Sequence, residues 1–447
     1  MNRQNQNILI QEYDEQMTQK YQEVIQDGNL IISGDSDITS LKFIEKFNIQ
    51  TLKLSINDSI KLQSKTIKEL TIQLPLFQEE QILNLNIDDL ELENLEVLLL
   101  NNNNLENDQL NNLSKFKKLR NLDVSCNNVD LTHLHNVTSL TKLSMQACGL
   151  QNIEQITSLL NLKDLDLKIN RDIDICPLYQ LISLTKLNIQ SCNLKQIDKI
   201  GQLINLQVLD LSDNLLQHIN SISRLVNLKE LNIMSNEGVD ITPLGDLPGL
   251  VSLDLESCGL KQLSALKPLV NLQFLDVSFN SNINISDLCF LRSLTNLLLV
   301  KCDLVSIYAL KSLVNLEILN ISYNNIVYLD VVCNMTNLQE LSAYNNKIQD
   351  FTLEQLQNCF TNKNNGFNIQ NQKQPTKNEI LSANKFRAVE RAFEKRFQIY
   401  LKRKTIQKSF EKFKLKINVA VKETRENNLG FICSAAQLFE QNQFVSQ

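Results

Sequence analysis

LQVLDLSDNLL, residues 206–216, decides the fold: leucines at 206, 209, 211 and 216 and an asparagine at 214 give L-x-x-L-x-L-x-x-N-x-L. The first leucine of this unit recurs at Leu95, Leu119, Leu140, Leu162, Leu184, Leu206, Leu228, Leu250, Leu272, Leu294, Leu316 and Leu338. After steps of 24 and 21, every step from Leu140 onward is 22 residues. A fixed period of this size specifies a solenoid. The L-x-L core alternates as a short strand does, with its leucines turned to one side and the intervening residues to the other. One such unit cannot bury its apolar side alone; stacked on its neighbours it gives a continuous core and a parallel sheet.

The position after the strand is Asn103, Asn127, Asn170, Asn214, Asn236, Asn280, Asn324 and Asn346, or else Cys148, Cys192, Cys258 and Cys302. A buried side chain there must satisfy turn backbone groups that have left the sheet. Asn both donates and accepts, and Cys is a smaller, weaker substitute. Two turn variants follow. Most repeats run like Cys192-Asn-Leu194-Lys-Gln-Ile197, and three shift the apolar positions by one, at Ile173/Ile175, Val239/Ile241 and Ile283/Ile285.

This pattern resembles the leucine-rich repeat family, strongly over 95–348 and weakly over 41–75. The match is closest to the 22-residue class, which includes a regulatory subunit of protein phosphatase 1. The resemblance implies an α/β leucine-rich-repeat solenoid, a curved horseshoe with a parallel sheet on its concave face. It also implies a binding scaffold, with a phosphatase regulatory subunit as the alternative.

Around the array the sequence predicts five segments. Residues 1–27 form an N-terminal helical cap, with Tyr13, Met17, Tyr21, Val24 and Ile25 at helical spacing over 10–26. Residues 28–94 are degenerate repeats, with Ile49-x-x-Leu52-x-Leu54 and Ile67-x-x-Leu70-x-Ile72 as their remnants and an irregular stretch over 77–92. Residues 95–360 are the regular array, closed by a short helix over 351–360. Residues 361–375, TNKNNGFNIQNQKQP, read as a polar linker. Residues 376–447 are a basic helical tail, opened by the capping-box pattern Thr376-x-x-Glu379.

That tail carries Phe386, Val389, Phe393, Phe397 and Tyr400 at three- and four-residue steps. It holds 14 basic and 5 acidic residues between Lys385 and Glu426. Against a whole-chain charge of −6, its +9 leaves about −15 for the remainder, an acidic array beside a basic extension. The tail suits a calmodulin-like or anionic partner, or the end of the solenoid itself.

Composition excludes little else. The N-terminal stretch lacks a basic region followed by an apolar one, and no run of about 18 apolar residues exists. Ten cysteines without a cysteine-rich flank read as reduced thiols, so the expected compartment is the cytoplasm, with the nucleus as alternative. His133, His135 and His218 pair with no Ser or Cys nucleophile, and no glycine-rich phosphate loop or C-x-x-C pair occurs. A non-enzymatic chain without cofactor or metal is expected.

The candidate partner site lies on the strand face. Asp123, Asp166, Asn188, Asp210, Asn232, Asp254, Asp276 and Asn320 occupy the position between the two core leucines. They are either an acidic surface for a basic partner or repeat consensus, with each Asp paired two residues on. Departures from the pattern are more telling. Phe274, Phe279, Tyr323 and Tyr344 place aromatics on or beside this face, near Asp254, Glu256 and Asp276. Together with Asp210 these are the expected protein-binding residues; a nucleic-acid partner is disfavoured for so acidic an array.

Overall fold

The structure, a computed structural model, describes residues 29–33, 44, 47–55, 61–74, 83, 85–349, 359, 366–381, 383–385 and 388. The expected helices over 10–26 and 351–360 lie outside these residues, Cys359 apart. So does the tail beyond 388.

Two compact units divide the chain, Met1–Leu260 with Ala265–Val277, and Lys261–Ser264 with Ser278–Gln447. In the first, parallel strands follow one another from Asn29–Ser33 and Thr51–Ser55 through Glu69–Gln73 to Phe274–Asp276. Register steps by one repeat: Leu187 lies beside Leu209, Leu209 beside Leu231, and Leu253 beside Leu275. The second unit continues in the same way with Asn296–Leu298, Ile318–Asn320 and Glu340–Ser342. Each strand is only three residues long in the regular repeats, because the chain must turn back over its own core every 22 residues. The return passes through short 3-10 helices such as Asn220–Arg224 and Thr242–Asp246, not α-helices. The leucines of the motif are buried throughout. Ahead of the regular array, Thr51–Ser55 and Glu69–Gln73 pair in the same sheet, Leu52 beside Leu70 and Leu70 beside Leu98.

The asparagine column is the polar seam of this core. Asn214 accepts from the backbone N–H groups of Cys192 (3.1 Å) and Leu194 (2.9 Å), one repeat back. Its amide donates to the carbonyls of Ile189, Leu211 and Ser212, at 2.9, 2.9 and 3.0 Å. Cysteine reproduces this only weakly: Cys192 Sγ reaches the carbonyls of Leu167 and Gln190 at 3.5 and 3.4 Å, and accepts from the backbone N–H of Asn170, a softer acceptor than the asparagine oxygen.

This difference explains the two turn variants. Each shifted repeat is the one before a cysteine. In those repeats the N–H of Asp172, Gly238 or Asn282 bonds instead to the backbone carbonyl of Cys192, Cys258 or Cys302, at 3.0, 3.0 and 3.1 Å. All three residues sit at positive φ, between 61° and 81°. The inserted turn residue gives the second N–H, which an asparagine oxygen would take as Asn214 takes that of Leu194, a backbone carbonyl to bond instead.

Two expectations are corrected. Residues 361–375 are not wholly a linker, since Gly366–Asn368 is a strand paired in parallel with Glu340–Ser342, Phe367 beside Leu341. Gln372 stands where earlier repeats have Asn. It accepts from the N–H of Ile348 (3.1 Å) and donates to the carbonyls of Ala343 and Ile369 (2.9 and 2.8 Å). An extra methylene lets Gln make the asparagine bonds from a longer segment. The second correction is that Cys333 and Cys359 form a disulfide, so the cysteines are not all free thiols.

The helix opened by Thr376 has the expected capping box: Thr376 N–H donates to Glu379 (2.7 Å) and Glu379 N–H to Thr376 Oγ1 (3.3 Å). It rests on the end of the second unit. Lys347 Nζ lies 2.6 Å from Glu379 Oε1, holding that carboxyl down to about 2, and Ala383 is buried.

Candidate functional site

The strand face carries one column from the position between the core leucines. Its members first serve the backbone. Asp123, Asp166, Asp210 and Asp254 each accept from the N–H two residues on, at 2.9–3.1 Å. Asn188, Asn232 and Asn320 do the same at 3.0–3.1 Å. The pairing is therefore structural for one oxygen, and at Asp210 the serine hydroxyl joins it, at 2.6 Å.

Where three acids converge, the face acquires another property. Register places Asp254 beside Asp276 on the neighbouring strand, with Phe274 beside Ser252. Glu256 stands at the end of the Asp254 strand. Asp276 is buried, 6% exposed. Burial pushes the Asp254 carboxyl up to about 6, helped by Asp276, Glu256 and Asp210 and opposed by the Glu256 N–H bond. Burial also raises Glu256, with Asp276 and Asp213 adding to it. Asp210 is separated from Asp254 by Asn232 and lies at the margin of the cluster.

The aromatics of the second unit occupy different columns. Phe279 and Tyr323 precede the asparagine position. That position is left-handed in every regular repeat, with φ between 53° and 61° from Asn102 through Ala147, Ile169 and Asp213 to Asn345. The geometry is set by the strand leaving the sheet: Phe279 N–H donates to Val300 O and Tyr323 N–H to Tyr344 O, both at 2.7 Å. A side chain with a Cβ there costs roughly 1–2 kcal/mol relative to glycine. Phe279 and Tyr323 are nevertheless 45% and 52% exposed, so their rings do not repay that cost in the core. Lys301, the same position in the repeat between them, places its ammonium 5.4 Å from the Phe279 ring.

Tyr344 belongs one residue earlier in its repeat and is half-buried. Its ring meets Tyr323 edge-on, centroids 5.5 Å apart at 60°, and its hydroxyl bonds the Asn371 side chain. Phe274 is half-buried on its strand. The eight expected residues thus fall into an acidic group, Asp210, Asp254, Glu256 and Asp276 with Phe274, in the first unit. An aromatic group, Phe279, Tyr323 and Tyr344, lies in the second. Sequence reasoning missed Lys301, which aligning the residue before each Asn or Cys would have exposed.

With this geometry in hand, residues 182–237 match the family model of the leucine-rich repeat. No curated protein matches the chain. Among solved structures, an internalin of Listeria monocytogenes is 26% identical over 63% of this chain and 82% of its own, with a TM-score of 0.55. A leucine-rich-repeat protein of Leptospira interrogans is 23% identical over 77% of this chain and 92% of its own, at 0.57. The TLR13 chain of a complex with single-stranded RNA is 23% identical over 72% of this chain and 53% of its own, at 0.55. The last two show the fold alone. No helix among the described residues is long and apolar enough to cross a membrane.

Proposed function

We propose that this leucine-rich-repeat solenoid is a non-enzymatic protein–protein interaction scaffold that engages its partner on the strand face and along the left-handed column at the strand ends. The observation that carries the reading is the exposure of Phe279 and Tyr323 at backbone positions that disfavour them. Exposed aromatics held on rigid repeats are suited to be anchors, because little conformational entropy remains to be lost on binding. In the second unit, Lys301 beside Phe279 favours a partner that presents an acid or an aromatic; the acidic group around Asp254 is a separate surface of the first unit, suited to Lys or Arg.

The phosphatase-regulatory alternative rests on repeat length. The calmodulin-type alternative rests on the tail, whose residues past 388 are outside the described ones. Capture from native lysate by the full chain separates the three. The scaffold reading predicts a partner that is lost with Phe279→Asn and Tyr323→Asn. The alternatives predict a phosphatase or calmodulin, retained by that variant. For compartment we favour the cytoplasm: the thiols of Cys126 and Cys176 are free and exposed. Cys333–Cys359 is then the bond that a reducing compartment would open.

A further inference from the structure

A second column lies at the opposite ends of the strands. Two residues before the first leucine of each repeat stand Leu160, Ile182, Ile204, Val226, Pro248 and Val270, six repeats in succession within the first unit. All six are exposed, the five other than proline by 53–63%. The turn needs no apolar side chain at this place, since Thr138 and Arg292 hold it in the flanking repeats. Asparagines that follow the ridge residue of the next repeat fix the turn at three of the six places. Asn205 donates to Ile182 O (2.8 Å), Asn227 to Ile204 O (2.9 Å) and Asn271 to Pro248 O (3.0 Å). The backbone under the middle of the ridge is therefore held in place before anything touches it.

We propose that this ridge joins two copies of the chain about a two-fold axis passing between Ile204 and Val226. Three properties of the column select a second copy. The first is size: an axis there sets Leu160 against Val270, Ile182 against Pro248 and Ile204 against Val226, a larger residue facing a smaller one each time. Each pair then occurs twice, as in any isologous contact, and the alternation of sizes lets the two ridges interdigitate. The second is period. Neighbouring strands repeat every ~4.8 Å, so another copy stays in step along the whole ridge. A helix, advancing ~5.4 Å per turn, drifts out of step by about 3 Å over six repeats. The third is charge: the six positions are uncharged in a chain of net charge −6, so the copies meet where they do not repel. The exposed area is on the order of 500 Å² per copy. Two copies together bury about 1,000 Å², the lower bound for a specific interface, so the dimer is a weak, reversible one.

Sedimentation equilibrium of the full chain tests this. The expected result is a monomer–dimer equilibrium. Ile204→Lys or Val226→Glu alone weakens it at least tenfold, and the two combined in one chain restore it, because each lysine then faces a glutamate. Thermal melts guard against misfolding, and a chain carrying Leu160→Cys with Val270→Cys, too far apart to bridge within one copy, should cross-link to a second copy. A wild type that stays monomeric overturns the proposal, even if the ridge is then found to bind vesicles or another protein. So does a dimer indifferent to both substitutions, or a double variant no better than the singles.

Discussion

Replacing Asn214 by alanine removes one amide from the centre of the array, and the structure sets what that costs. The side chain is buried and makes five bonds, two accepted and three donated. Alanine leaves the N–H groups of Cys192 and Leu194 with no acceptor in a site too closed for bulk water. Each stranded donor costs roughly 1–3 kcal/mol, and the three carbonyls lose part of their bonding as well. A loss of about 3 kcal/mol follows, with further cost if the turn cannot relax. Cys192→Ala is the internal control, because sulfur is a weak acceptor for the Asn170 N–H and the thiol donates only weakly, at 3.4–3.5 Å. It should cost about 1 kcal/mol, mostly lost packing. Urea unfolding followed by circular dichroism reads both, with the slope checked because stacked repeats can unfold in parts. Equal costs for the two changes, or a neutral Asn214→Ala, would refute the assignment of the column as the acceptor for the preceding turn.

Two further outcomes are expected. The Asp254 carboxyl is raised to about 6 in the fold from an ordinary 3.8, so the folded state holds its proton more tightly. Stability from this group is full below about pH 4 and is lost as pH rises through 6. Asp254→Asn should then stabilise the protein by on the order of 1 kcal/mol at pH 7, allowing for solvent screening, and not at pH 4; melts at the two pH values check it. Denatured protein prepared without reductant should titrate two thiols fewer than reduced protein, the Cys333–Cys359 pair. An equal count would remove the disulfide.

Most of the fold was legible because its physics repeats. A leucine that must be buried every 22 residues leaves a periodic mark, and even the remnants at Leu52 and Leu70 kept it. What escaped had lost the mark while keeping the bonds. Phe367 and Gln372 replace the expected leucine and asparagine 26 residues on from the previous repeat, so spacing and letters both changed although Gln372 makes the asparagine contacts. The site was less legible. The aspartates were visible as a column, but their bonds to the backbone were not. Phe279, Tyr323 and Tyr344 looked like one row, whereas Tyr344 sits one residue out of it, packed on Tyr323 and Asn371. The left-handed backbone that Phe279 and Tyr323 share has no signature in a single repeat, since the position is variously Ser, Asp, Ala or Ile.

That backbone makes possible the most direct test of the binding claim. Asparagine tolerates the left-handed region better than an aromatic does. Phe279→Asn with Tyr323→Asn should therefore leave the melting temperature unchanged or slightly raised. Calorimetric titration of the partner recovered from lysate should show the same variant losing about 2 kcal/mol or more of binding, through faster dissociation. An intact, equally stable variant that binds the partner as tightly as the wild type would contradict the account.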